Sequence, residues 1–232
     1  MNRVGHVLLM IFLCTVFASG QDTTSRRKNS LEEGAWAVQF GIGSNFTITT
    51  FAGSTIALKH FCSSSQAYRL SATVNGSTDS RDGVTPLVAD SMRIITTTDG
   101  NSESLSLQFN MLFYPLTSSD VNFYWGIGPS GTYSHSNSTS ETRFVTSSQD
   151  TVYSRQSDTR NTWGIGASGV VGVEWFATKS ISLNAEYTGT LNYTHSSSSS
   201  EGEIPSRPAS ESTSKSFSVN SGGVRFGLAA YF

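Results

Sequence analysis

Two short echoes in the sequence hold the residue types of nucleophilic catalysis. Tyr133-Ser134-His135-Ser136 and Tyr193-Thr194-His195-Ser196 each set a histidine between hydroxyl-bearing residues, and Asp158 or Glu201 could supply the acid that orients an imidazole for acyl transfer. The same two histidines could instead form a metal pair. Against both, the histidines lie in serine-rich segments where a serine neighbour follows from composition alone. There is no Gly-x-Ser-x-Gly, no His-Glu-x-x-His and no clustered Cys/His spacing. Gly164-Ile165-Gly166 alternates like a strand and not like a phosphate loop. The residues thus predict no catalytic centre, no metal site and no cofactor.

A second set of chemistry-bearing residues is ionic. Lys59, Arg69 and Arg225 against Glu174 and Glu186 each stand in a segment where apolar residues recur at every second position, and each occupies the other parity. Period two is the spacing of a strand with its two faces in different environments. The apolar faces are Trp36, Val38, Phe40, Ile42; Ile56, Leu58; Tyr68, Leu70, Ala72, Val74; and Leu105, Leu107, Phe109, Met111, Phe113. They continue with Val121, Phe123, Trp125, Ile127; Trp163, Ile165, Ala167, Val171, Val173, Trp175; Ile181, Leu183, Ala185, Tyr187, Leu191, Tyr193; and Val224, Phe226, Leu228, Ala230, Phe232. The pattern predicts eight strands.

The opposite face decides which side is dry. It carries Gln39, Gly41, Ser71, Thr73, Gln108, Asn110, Asn122, Tyr124, Gly172, Asn184, Thr188 and the five charges. No soluble protein buries a core of that composition, whereas the apolar face holds no Asp, Glu, Lys or Arg. A charge facing lipid at the bilayer midplane costs about 2–4 kcal/mol, so that absence predicts an all-β, eight-stranded antiparallel transmembrane barrel with lipid outside and a polar lumen inside. Eight strands leave an interior that side chains can fill. The five charges are expected to form a paired ionic plug, with Arg69 or Arg225 as the partner of Glu174, because isolated ions would be too costly to bury. Glycines are expected on the same face to give bulky neighbours room.

Aromatic residues give a length check. Trp163 and Trp175 share one face twelve residues apart, which is roughly 30 Å along the membrane normal for a tilted strand. Trp36, Trp125, Trp163, Trp175 and Tyr193 are therefore assigned to interfacial girdles. Tight connections (63–65, 115–120 and 177–179) alternate with long polar ones (76–102, 136–159 and 196–215), apart from a short first one near 47–53. That is the alternation of periplasmic turns and extracellular loops.

The first twenty residues have a basic n-region at Arg3, an apolar run from Val7 to Ala18 and a small-residue ending, Ala18-Ser19-Gly20. They read as a secretory signal peptide (1–20). Residues 21–33 carry no alternation and read as a disordered periplasmic leader in which Arg26-Arg27-Lys28 is solvated; 34–232 is the barrel domain. Removal of the signal leaves Cys62 alone, which excludes an internal disulfide. The net charge of −2 gives no reason to invoke nucleic acid. Asn45, Asn75, Asn137 and Asn192 lie in glycosylation sequons that are incidental in a bacterial barrel.

Two segments carry a family resemblance: GSTIALKHFCSSSQAYRLSATV (53–74) and the ending GGVRFGLAAYF. Both resemble the outer-membrane-protein β-barrel domain family of small OmpA/OmpX-type barrels, over essentially the whole mature chain. The resemblance implies location in the bacterial outer membrane, contact with its lipid, and Phe226, Leu228, Ala230 and Phe232 as the C-terminal signal read by the barrel-assembly machinery. His60 departs from it, since the family more often has an aromatic residue there. The family is functionally mixed and supplies a location more firmly than an activity. The reading is a non-enzymatic structural and surface-interaction barrel that meets an extracellular ligand through its loops. A narrow porin-like channel and a lipid A-modifying enzyme are the alternatives.

Overall fold

The computed structural model describes residues 31–47, 52–87, 92–117, 120–145, 151–202 and 209–232. The chain forms β1 (Trp36–Thr47), β2 (Ala52–Ser63), β3 (Gln66–Leu87), β4 (Met92–Phe113), β5 (Val121–Val145), β6 (Thr151–Phe176), β7 (Ile181–Gly202) and β8 (Ser210–Tyr231). Each strand pairs antiparallel with the next, and β1 pairs with β8, so the sheet closes into a barrel without helices among the described residues. The signal peptide and most of the leader lie outside those residues, as does the centre of the first connection.

Closure requires stagger. Val38 is opposite Leu58, Leu58 opposite Leu70, and Leu70 opposite Phe109, so the ladder can be followed strand by strand. It reaches Leu191 and Val219 on β7 and β8, yet the residue that closes on Val38 is Ala230. The strands therefore tilt, as a barrel of this size demands. A shift between Tyr187 and Gly189 inserts an extra residue in β8 and reverses its facing, so Val219 and Phe217 point outward like Val224 and Phe226.

The two faces separate as the alternation predicts. Trp163, Ile165, Val171, Val173 and Trp175 are exposed on the outside of β6, while Ser168, Gly172 and Glu174 between them are buried. In a soluble protein that many exposed large apolar side chains would be an error; around a barrel they form the band that lipid covers.

The three long connections differ in kind from the loops the sequence suggests. Most of 76–102 is ladder, paired from Gly76↔Glu103 to Leu87↔Met92. The same holds from Ser136↔Arg160 to Val145↔Thr151 and from Ser196↔Ser214 to Ser200↔Ser210. Apart from apolar pairs such as Val84↔Ile95 and Phe144↔Val152 towards two of the ends, both faces of these stretches are polar, so no alternation reveals them, yet their Thr and Ser residues pair well across strands. β5 and β6, of 25 and 26 residues, are more than twice the length needed to cross a bilayer. β1 and β2, at 12 residues each, stop near the bilayer rim.

The other end of the lumen is apolar. Ala37, Phe61, Ala67, Leu112, Tyr114, Phe176, Ala229 and Tyr231 pack in one buried cluster near the tight turns. Leu31, only 2% exposed, inserts into it, so the last residues assigned to a free leader are anchored to the barrel.

Candidate functional site

In an eight-stranded ring, strands four apart lie opposite one another. β2 thus faces β6, and β3 faces β7. Lys59 on β2 reaches across to Glu174 on β6, with Nζ 3.0 Å from Oε2 and both side chains fully buried. Arg69 on β3 reaches across to Glu186 on β7, with Nη1 2.5 Å from Oε2. Two ionic struts therefore span the lumen. The sequence suggests Arg69 or Arg225 as the partner of Glu174; the structure gives Lys59 instead, because β2, and not β3 or β8, lies across the lumen from β6.

Further hydrogen bonds reach both carboxylates, which is what makes such burial tolerable. Glu174 accepts hydrogen bonds from Tyr231 (2.6 Å), Tyr114 (3.0 Å) and Ser182 (2.5 Å) besides Lys59. Glu186 accepts one from Tyr124 at 3.0 Å. The Lys59 ammonium also sits 5.5 Å from the centroid of the Tyr124 ring and 5.7 Å from that of Tyr231, adding cation–π attraction in a dry site. Tyr124 thereby links the two struts. Gly172 makes the arrangement possible: a Cβ there would fall 2.6 Å from Tyr124 Cζ.

Arg225 stands apart from the other four charges. It is directly opposite Glu186 in the β7–β8 ladder, half-buried, and forms no ion pair with a described residue. Among the interior tyrosines, Tyr114 and Tyr231 escape sequence reasoning. Tyr114 lies one residue past its strand, and Tyr231 is hidden by the aromatic Phe232 beside it, although its parity with Arg225 marks it as inward.

The girdle residues are all on the outside: Trp36, Trp125, Trp163, Trp175 and Tyr193 are each exposed. Trp36 packs against His60 in a tilted contact with ring centroids 4.4 Å apart, so the histidine takes the aromatic position on the lipid face. Phe226, Leu228 and Phe232 are likewise exposed, with Ala230 partly covered.

The histidine echoes do not assemble a catalytic constellation. Successive residues of a strand point to opposite faces, so His135 is outside and its neighbours Ser134 and Ser136 are inside. His135 Nδ1 contacts Asn161 Oδ1 at 2.7 Å, and His195 packs on Trp163 with ring centroids 5.3 Å apart. Asp158 faces the interior with Ser138 and Ser200, away from both imidazoles. No group of three or more metal-ligating side chains occurs among the described residues.

Above the struts the inner wall becomes a grid of hydroxyls. Ser136, Arg160, Ser198 and Ser212 are successive cross-strand neighbours, and Ser138, Asp158, Ser200 and Ser210 form the next row. They line a vestibule cavity of about 360 Å³.

An uncharged apolar exterior, a polar lumen closed by ionic struts and eight staggered strands define a membrane-spanning β-barrel. Several solved structures align with it over most of its length. OprG from Pseudomonas aeruginosa, an outer membrane protein, aligns over 89% of this chain and 99% of its own at 11% identity with a TM-score of 0.48. A major outer membrane protein from Thermus thermophilus aligns over 85% and 98% at 14% identity (TM-score 0.43), and the attachment invasion locus protein Ail of Yersinia pestis over 86% and 99% at 12% (TM-score 0.31). No protein-family model and no curated protein matches the sequence.

Proposed function

We propose that the chain is an integral protein of the bacterial outer membrane with a structural and surface-interaction role: a plugged barrel that holds three tall polar hairpins outside the cell. The observation that carries this reading is the ladder itself. β3–β4, β5–β6 and β7–β8 continue as paired strands well past the apolar band, so the protein presents a rigid polar wall on a sealed anchor. A rigid scaffold that displays polar segments is a common arrangement for recognition. Outer-leaflet lipid contacts the band, the assembly machinery reads the C-terminal strand, and an external ligand meets the hairpins.

The test uses Thr213→Cys on the outer side of β8 in a Cys62→Ser background. A membrane-impermeant maleimide should label it in intact cells, and a cross-linker attached there should capture the external ligand. Labelling only after lysis would overturn the surface orientation.

A further inference from the structure

The vestibule above the struts has a chemistry of its own. Its wall is the inner face of β5 to β8, where Ser136↔Arg160↔Ser198↔Ser212 and Ser138↔Asp158↔Ser200↔Ser210 run as adjacent rows. One cation and one carboxylate thus stand two residues apart on the same face of β6, surrounded by hydroxyl groups. Both charged residues are exposed, unlike Lys59, Arg69, Glu174 and Glu186 in the struts. Arg160 forms no ion pair with a described residue. Asp158 is held in place: Gln156 Nε2 donates to its two carboxylate oxygens at 3.2 and 3.1 Å and to Ser200 Oγ at 3.3 Å, which ties the carboxylate to the next strand.

The ladders show how this cavity is reached. Its two rows continue to Ser77 and Asp79 on β3 and to Ser212 and Ser210 on β8. The β2–β3 ladder ends short of them at Ser54↔Val74, and the β1–β8 ladder at Ile42↔Phe226. Among the described residues the wall is therefore missing on the β1–β2 side, and the vestibule opens sideways as well as upward. Towards the struts it is closed. Ser130, Ser168 and Asn192 are buried there, with Ser130 donating to Asn192 Oδ1 at 3.3 Å. A ligand can enter the vestibule and goes no deeper.

From this placement we propose that the vestibule binds a neutral, hydroxyl-rich ligand, a short saccharide, with Asp158 and Arg160 as its principal contacts. This names the chemistry of the external ligand and rests on the surface role proposed above. Arg160 can only donate hydrogen bonds and an ionised Asp158 can only accept them, while each serine does both. Sugar hydroxyls also do both, so they satisfy all three kinds of group. An anion would be repelled by Asp158 and a cation by Arg160, whereas a neutral polyol meets neither penalty. The volume of about 360 Å³ lies within the range of small-ligand pockets. The wall is already ordered, since the hydroxyl oxygens of Ser198 and Ser212 are 2.8 Å apart. Tyr133 and Trp163 are exposed on the outer face, so recognition rests on hydrogen bonds and not on ring stacking.

The experiment titrates the full barrel, in a detergent without a sugar headgroup, with maltose and with glucose, glucuronate and glucosamine as a matched neutral, anionic and cationic set. Saturation-transfer NMR of the sugar protons reads binding, and the compact band on unheated gels confirms that each variant is folded. Maltose and glucose should bind saturably, and the two charged sugars more weakly. Asp158→Asn and Arg160→Gln should each weaken maltose binding about tenfold, while Ser197→Asn on the outer face should leave it unchanged. Displacement of maltose by the delipidated surface polysaccharide of the producing cell would identify the cell's own glycan as the source, and failure to displace it a glycan from outside; either upholds the site. No saturable signal from a neutral sugar, equal or tighter binding of glucuronate or glucosamine, or maltose binding unchanged by both variants would overturn the proposal. With Thr213→Cys still labelled in intact cells, such a result removes the saccharide and leaves the surface orientation standing.

Discussion

Lys59 and Arg69 stand directly opposite each other on β2 and β3, yet each directs its charge to a different carboxylate on the far wall. Like charges opposed across a ladder repel, so the pair is stable only because Glu174 and Glu186 are spaced to receive one cation each. The two cations stand on one wall of the lumen and the two carboxylates on the other. This tightens the barrel, since pulling β2 from β6 or β3 from β7 separates unlike charges.

Breaking one strut should therefore be costly. Lys59→Met leaves Glu174 buried without its counter-ion, and a loss of about 3–5 kcal/mol is expected. The double variant Lys59→Met/Glu174→Gln should lose less than the sum of the single losses, because neither change then strands a charge. Urea unfolding of the folded barrel in detergent, read by tryptophan fluorescence, measures the cycle.

Packing beside the struts should be similarly tight. Gly172→Ala places a methyl group against the Tyr124 ring, within 2.7 Å of its hydroxyl, and overpacking of this kind costs about 1–3 kcal/mol. Tyr124→Leu in the same chain should recover part of that cost, although it also removes the hydrogen bond to Glu186. Strict additivity of the two changes in the same unfolding assay would mean that the ring and the glycine do not meet.

The lipid face offers a comparison within one strand. Val171 and Thr159 both point outward from β6, Val171 between the two tryptophans and Thr159 in the outer hairpin. Val171→Arg should cost about 2–4 kcal/mol in a lipid bilayer and Thr159→Arg almost nothing. Refolding into vesicles from urea reads both. Equal effects would place the apolar band at another height.

These contrasts also explain what the sequence could and could not reveal. Alternation locates the strands and sorts their faces, because Trp163 and Glu174 sit in environments that differ in kind. It does not give the pairing of Lys59 with Glu174, which are 115 residues apart; that depends on the closure of the ring and on the stagger summed over the strand pairs between β2 and β6. The hairpin ladders stay hidden for another reason. At Ser136–Ser140 and Ser196–Ser200 both faces meet water, so nothing alternates. Phe61, Leu112 and Phe176 escape because an apolar residue with inward parity at a strand end reads as a lapse in the pattern. They form instead the dry base of the lumen.

That base decides how the barrel should conduct. Two barriers lie in series: the struts, with Lys59 and Glu174 fully buried, and below them Phe61, Leu112, Tyr114, Phe176 and Tyr231 in contact with one another. Phe61 and Tyr114 have ring centroids 5.3 Å apart, and Phe176 and Tyr231 5.1 Å. The wild-type protein should be silent in planar bilayers. Lys59→Ala/Glu174→Ala should also be silent, because the aromatic base remains. Only the further removal of Tyr114 and Tyr231, which belong to both barriers through their hydrogen bonds to Glu174, should produce reproducible steps. Conductance in the wild type that changes with Glu174→Gln would instead mean that ions pass the struts, and the barrel would be a narrow channel.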